Sequence, residues 1–71
     1  MNHSPQQQAV LDLLDTEGPL PATKVAEALG VRTSTATMRL YRAEGRGLVR
    51  RQFYTGPPLG RRQIAYEWLA A

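Results

Sequence analysis

The 71-residue chain has no cysteine, a single lysine, a single histidine, one tryptophan and one phenylalanine. Without thiols there is no disulfide scaffold, no zinc ribbon and no cysteine nucleophile, which fits a reducing, cytoplasmic setting. No apolar run approaches the roughly 20 residues of a membrane-spanning helix. The opening MNHSPQQQ lacks the basic start and apolar run of a secretion signal. Catalytic groups are equally scarce. His3 stands alone in an N-terminal arm, no glycine-rich loop could cradle a phosphate, and the carboxylates lack metal-ligand spacing. Ser4 and Ser34 have no base beside them. These absences point away from an enzyme and from any cofactor, metal or small-molecule substrate. A chain of this length is expected to form one domain over 1–71, without room for a separate sensing module. It hides only about 60% of the surface it exposes when unfolded.

What the chain does have is arginine, and it is unevenly placed. Residues 1–30 carry Lys24 against Asp12, Asp15, Glu17 and Glu27, a net −3. Residues 31–71 carry eight arginines against Glu44 and Glu67, a net +6. Guanidinium forks bind phosphates and guanine edges bidentately, where an ammonium acts as a point charge. Surface arginine also serves solubility. A polarised distribution, however, favours one side that faces a polyanion.

Three helices and two strands are predicted, in that order. Ser4-Pro5-Gln6-Gln7 has the form of a capping box with proline at the first helical position. It opens a helix over about 4–16, with Val10, Leu11, Leu13 and Leu14 apolar, and Gly18-Pro19 stops it. A second helix reads over 21–29, with Val25, Ala26 and Leu29 inward and Gly30 as a left-handed stop. A third reads over 33–45, burying Ala36, Leu40 and Ala43 on one face. From Leu48 the period becomes that of strands, over 48–54 and 63–69. Val49 and Phe53 are expected to point inward, and Ile64, Tyr66 and Trp68 to share a face. Thr55-Gly56-Pro57-Pro58-Leu59-Gly60 continues neither helix nor ladder and forms the loop between them. Two strands alone are marginal, so the hairpin must lean on the helices, with Trp68 as its largest anchor.

The sharpest pattern spans Lys24–Leu40. Ala26 is followed four residues later by Gly30, then Val31, and ten residues later by Ala36. A helix-turn-helix needs a small mid-helix residue where the next helix crosses. It also needs a turn residue tolerant of positive φ and an apolar residue facing back. A plain three-helix bundle is the competing reading. AEALGVRTSTATMRLYRAEGRGLVRR followed by GRRQIAYEWL resembles the winged-helix domains of bacterial and archaeal regulators of the MarR and ArsR types. The resemblance covers nearly the whole chain. It implies an α+β winged helix-turn-helix: three helices, then a two-stranded β-hairpin wing. Arg32 departs from the pattern, standing where such proteins usually place a Ser or Thr cap and leaving that role to Thr33. Gly45 weakens the last turn of helix three by about 1 kcal/mol relative to alanine. A fainter resemblance, to domains that bind left-handed nucleic acid, rests on Tyr41 and the Pro57-Pro58 wing. Thr37 and Gly60 stand where that family carries asparagine and tryptophan.

The expected function is sequence-specific binding of double-stranded DNA by a small transcriptional regulator. Helix 33–45 would enter the major groove and wing 55–63 would lie on the backbone or minor groove. With Ala36, Leu40 and Ala43 buried, the outward side includes Thr33, Ser34, Thr35, Thr37, Met38, Tyr41 and Arg42. Thr33 and Ser34 suit a phosphate at a helix N-terminus. Thr35, Thr37 and Met38 can reach base edges or a thymine methyl. Arg39 and Arg42 are candidates for guanine or phosphate. Tyr41 and Met38 each have a second reading, as a ring packed under the wing and a half-buried filler. Arg50 and Arg51 at the wing base and Arg61 and Arg62 on its return complete the candidate site. The resemblance implies that such a wing straddles phosphates or inserts an arginine into the minor groove. One domain covers only half of a palindromic site, so a homodimer is a further possibility. The alternatives are a winged helix used as a protein-interaction module and RNA binding through the same face.

Overall fold

The computed structural model describes residues 4–61 and 63–71, so His3 and Arg62 lie outside the described residues. The elements run α1 (Pro5–Glu17), α2 (Ala22–Leu29), α3 (Thr33–Gly45), β1 (Val49–Phe53) and β2 (Tyr66–Ala70). Each helix begins and ends for a local reason. The Ser4 hydroxyl accepts the Gln7 amide at 3.2 Å, and Pro5 occupies the first turn of α1. The reciprocal half of the expected capping box does not form. Gln7 is drawn away instead, its Oε1 accepting from Nη1 of Arg46 at 3.1 Å. This bond ties the first turn of α1 to the residue that ends α3. α1 runs one residue beyond expectation, to Glu17, before Gly18 turns back with its amide on the Leu14 carbonyl.

Pro21 precedes α2 rather than opening it, its carbonyl accepting from Lys24 and Val25. Gly30 ends α2 at φ 67°, ψ 34°, the left-handed conformation anticipated for the turn. A Cβ built there would meet no atom within 4 Å, so backbone conformation, not space, calls for glycine. The Val31 amide bonds the Ala26 carbonyl at 3.0 Å. α3 then starts with Thr33 as its first helical residue. The expectation that Thr33 caps it is corrected: Arg32 holds the cap position, and no side chain accepts from the first turn.

The core contains Val10, Leu14, Val25, Ala26, Ala36, Leu40, Ala43, Val49 and Trp68. Alanines at 26, 36 and 43 let helices approach closely, and Leu40 fills the centre. β1 and β2 are antiparallel, in a register running from Val49↔Ala70 to Phe53↔Tyr66. Leu20, in the link between α1 and α2, adds a single antiparallel bridge on the other edge of β2. Its amide and carbonyl both bond Trp68, at 2.9 and 2.7 Å. The hairpin therefore joins the helical layer through backbone as well as through the indole.

The strands are shorter than the 48–54 and 63–69 predicted, because the Tyr54 amide bonding Ala65 is the last rung before the wing opens. The inward expectation for Phe53 is overturned. Val49 and Trp68 are 2% and 4% exposed, whereas Phe53 is 76% and Tyr66 41% exposed. The Val49–Trp68 end of the hairpin packs into the core against the helices. The other end projects, consistent with overall extents of 39 × 22 × 20 Å.

Candidate nucleic-acid interface

α3 buries one side and leaves the other open. Ala36, Leu40 and Ala43 are fully buried, while Ser34, Met38, Tyr41 and Arg42 on the opposite side are exposed. Thr33, Thr35, Thr37 and Arg39 lie between, half-buried along the two flanks. The period of 3.6 residues makes this division unavoidable once the core stripe is chosen. Since no side chain caps α3, the free amides of its first turn meet the positive end of the helix dipole.

Grooves run along both flanks. Thr35, Met38, Arg39 and Arg42 share one with Ser4 and Gln6 at the start of α1. Thr37 and Tyr41 share the other with Tyr66, Gln63 and the α2 start, in a cleft of about 210 Å³ between α3 and the wing. A third concavity lies where the wing residues Leu59, Gly60 and Ile64 fold back toward Arg32 and Thr33. Arg32 and Gln6 are not among the DNA-contact candidates read from sequence. A cation beside the first turn of α3 was the available signal for Arg32. Gln6 had none, because its nearness to Arg42 is a tertiary fact.

The arginines are not equivalent. Arg42 and Arg61 are exposed, on α3 and on the wing. Arg39 sits on the α1 flank and Arg46 is bonded to Gln7. Arg51 is held by Glu44, with Nε 3.3 Å from its carboxylate, and lies against the rings of Tyr41, Tyr66 and Trp68. Arg50 is exposed, and strand alternation puts it on the hairpin face opposite Arg51. The structure therefore does not gather all these side chains on one side. Tyr41 packs edge-on against Trp68, centroids 5.4 Å apart at 70°, as a ring under the wing, and keeps an exposed side.

The wing is braced from within. The Tyr54 hydroxyl donates to the Pro57 carbonyl at 2.6 Å. A Cβ on Gly56 would fall 2.6 Å from that hydroxyl oxygen, so the bracing ring needs glycine beneath it. Pro57 and Pro58 further restrict the loop. Among the described residues no group of three His, Asp or Glu side chains could hold a metal, and no helix is long and apolar enough to cross a membrane.

Solved structures of similar fold include the following two. The YusO protein from Bacillus subtilis matches with a TM-score of 0.80 and 26% identity, over 96% of this chain and 45% of that one. The PcaV transcriptional regulator from Streptomyces coelicolor, solved in complex with its natural ligand, matches with a TM-score of 0.77 and 28% identity. That match covers 97% of this chain and 45% of PcaV. The chain thus spans less than half the length of either structure. No curated protein matches it. The MarR family model matches residues 4–53, from the cap of α1 to the end of β1. With that match and three helices followed by a hairpin wing, the chain belongs to the MarR family, as a winged helix-turn-helix domain.

Proposed function

We propose that the chain binds double-stranded DNA, as the DNA-reading domain of a cytoplasmic transcriptional regulator. The observation that carries this reading is the open side of α3, with its uncapped first turn and flanking grooves. In this reading Thr33 and Ser34 receive a phosphate at the helix N-terminus. Thr35, Thr37 and Met38 approach base edges, and Tyr41 lines the cleft toward the wing. Arg42 reads a base or a phosphate from the exposed side of α3, with Arg39 beside it. Arg61 or Arg62, neighbours of which only one can face a given groove wall, holds the wing on the backbone or in the minor groove, and Arg50 adds long-range attraction from the far face of the hairpin. The family match and the PcaV likeness support a regulator's role. Two copies on a palindromic site would give the affinity that one half-site lacks.

Duplex binding across salt concentrations tests the proposal. With about five to seven phosphates neutralised, log K falls against log salt by about 0.9 per phosphate. No affinity for random or selected duplexes at about 50 mM salt would overturn it. Structured RNA as competitor separates the RNA alternative.

One observation favours a second reading, as a protein-interaction module. Phe53 and Tyr66 stack in the open, centroids 5.6 Å apart and 20° from parallel. Exposed aromatics of this kind are enriched at interfaces. Self-association lost on Phe53→Ser, with no duplex affinity in either form, would favour that reading.

A further inference from the structure

Arg51 has more partners than any other cation described. Its Nε is 3.3 Å from Oε2 of Glu44, and its guanidinium carbon lies 5.7, 5.1 and 5.7 Å from the ring centroids of Tyr41, Tyr66 and Trp68. These partners come from both sides of one junction. Tyr41 and Glu44 are neighbours on α3, three residues apart, while Tyr66 and Trp68 alternate along β2. Arg51 itself stands opposite Trp68 in the hairpin register. Beyond that rung the Phe53–Tyr66 end is exposed, so Arg51 lies where the hairpin leaves the core.

We infer that Arg51 is a positioning residue that locks the wing to α3 and sets the angle between them, rather than a phosphate contact. The consequence for DNA rests on the duplex-binding reading above. A planar guanidinium can lie against rings and donate from its edge at the same time, which an ammonium cannot. The partnership with Glu44 also makes Arg51 a poor phosphate ligand. Swinging toward DNA would strip it from four partners and leave the Glu44 carboxylate unpaired beside a polyanion. Free of the lock, the hairpin still has Val49, Trp68 and the Leu20 bridge as ties at its inner end, but the wing loses its fixed direction.

The test compares Arg51→Lys, Arg51→Met and Glu44→Gln for duplex affinity across salt, and for near-ultraviolet circular dichroism without DNA. The lock predicts that Lys fails nearly as badly as Met, each binding on the order of tenfold more weakly. The salt slope stays that of the parent. Glu44→Gln also weakens binding, although losing a negative charge would by itself strengthen attraction to DNA. The aromatic dichroism of Tyr41, Tyr66 and Trp68 falls in all three. Three results would overturn the inference. One is Arg51→Lys binding like the parent while Arg51→Met lowers the salt slope by about one unit, the signature of a phosphate contact. Another is tighter binding by Glu44→Gln. The third is unchanged aromatic dichroism in every variant. Should the parent chain bind no duplex, the functional reading fails separately. Thermal unfolding of the Glu44→Gln/Arg51→Met pair then decides the lock: less-than-additive losses support it and additive losses overturn it.

Discussion

The hairpin has two ends built on the same alternation of side chains. At one, Val49 and Trp68 are buried against the helices and Trp68 shares both backbone bonds with Leu20. At the other, Phe53 and Tyr66 continue the same face and stand in solvent. The inner end belongs to the core and the outer end to the wing, with Arg51 at the boundary between them. Apolar character alone therefore does not decide burial. Phe53 is 76% exposed, whereas Val49, on the same face of the same strand, is 2% exposed.

The sharpest way to break this comparison is to delete the inner anchor. Trp68→Ala removes the largest core side chain and should cost about 3–5 kcal/mol. A domain of this size has only about 3–5 kcal/mol from its core, so loss of the cooperative thermal transition is expected. A variant that melts within a few degrees of the parent would mean that the hairpin contributes little to the core. Arg42→Ala acts on the open side of α3 and leaves folding intact. It should weaken duplex binding by about 1–3 kcal/mol, unequally among sequences if the side chain reads a base. A uniform loss across sequences assigns it to the backbone.

Smaller effects belong to the outer end. Gly56→Ala displaces the Tyr54 ring and breaks its bond to Pro57, worth about 1 kcal/mol. Amide exchange should quicken roughly fivefold within the wing and stay unchanged in α1 and α2. Acceleration throughout the chain would show that the wing is part of the global unfolding unit. Phe53→Ser loses one cross-strand pair and should shift stability by only about 0.2–1 kcal/mol. A loss approaching that of Trp68→Ala would erase the distinction between the two ends.

The helices were legible because their signals are local. Ser4 and Pro5 start α1, Gly30 ends α2, and Ala36, Leu40 and Ala43 mark the buried stripe of α3 within a residue or two of the observed bounds. The outward positions of α3 followed from that stripe. What escaped were contacts between residues far apart in the chain. Gln7 gave up its local cap for Arg46, 39 positions away. Arg51 reads from sequence as one basic residue among several, and only the approach of α3 and β2 gives it Glu44 and three rings. Phe53 departs from the inward expectation because alternation identifies a face without saying what lies over it.

From its residues alone this chain was bound to form three helices, a glycine turn and a hairpin with a proline-stiffened loop, since caps, periodicity and backbone sterics act over a few neighbours. Where the hairpin leaves the core, which arginines stay free and which are held were settled only by packing. Those outcomes depend on the distance between elements, and no short stretch of sequence encodes that distance.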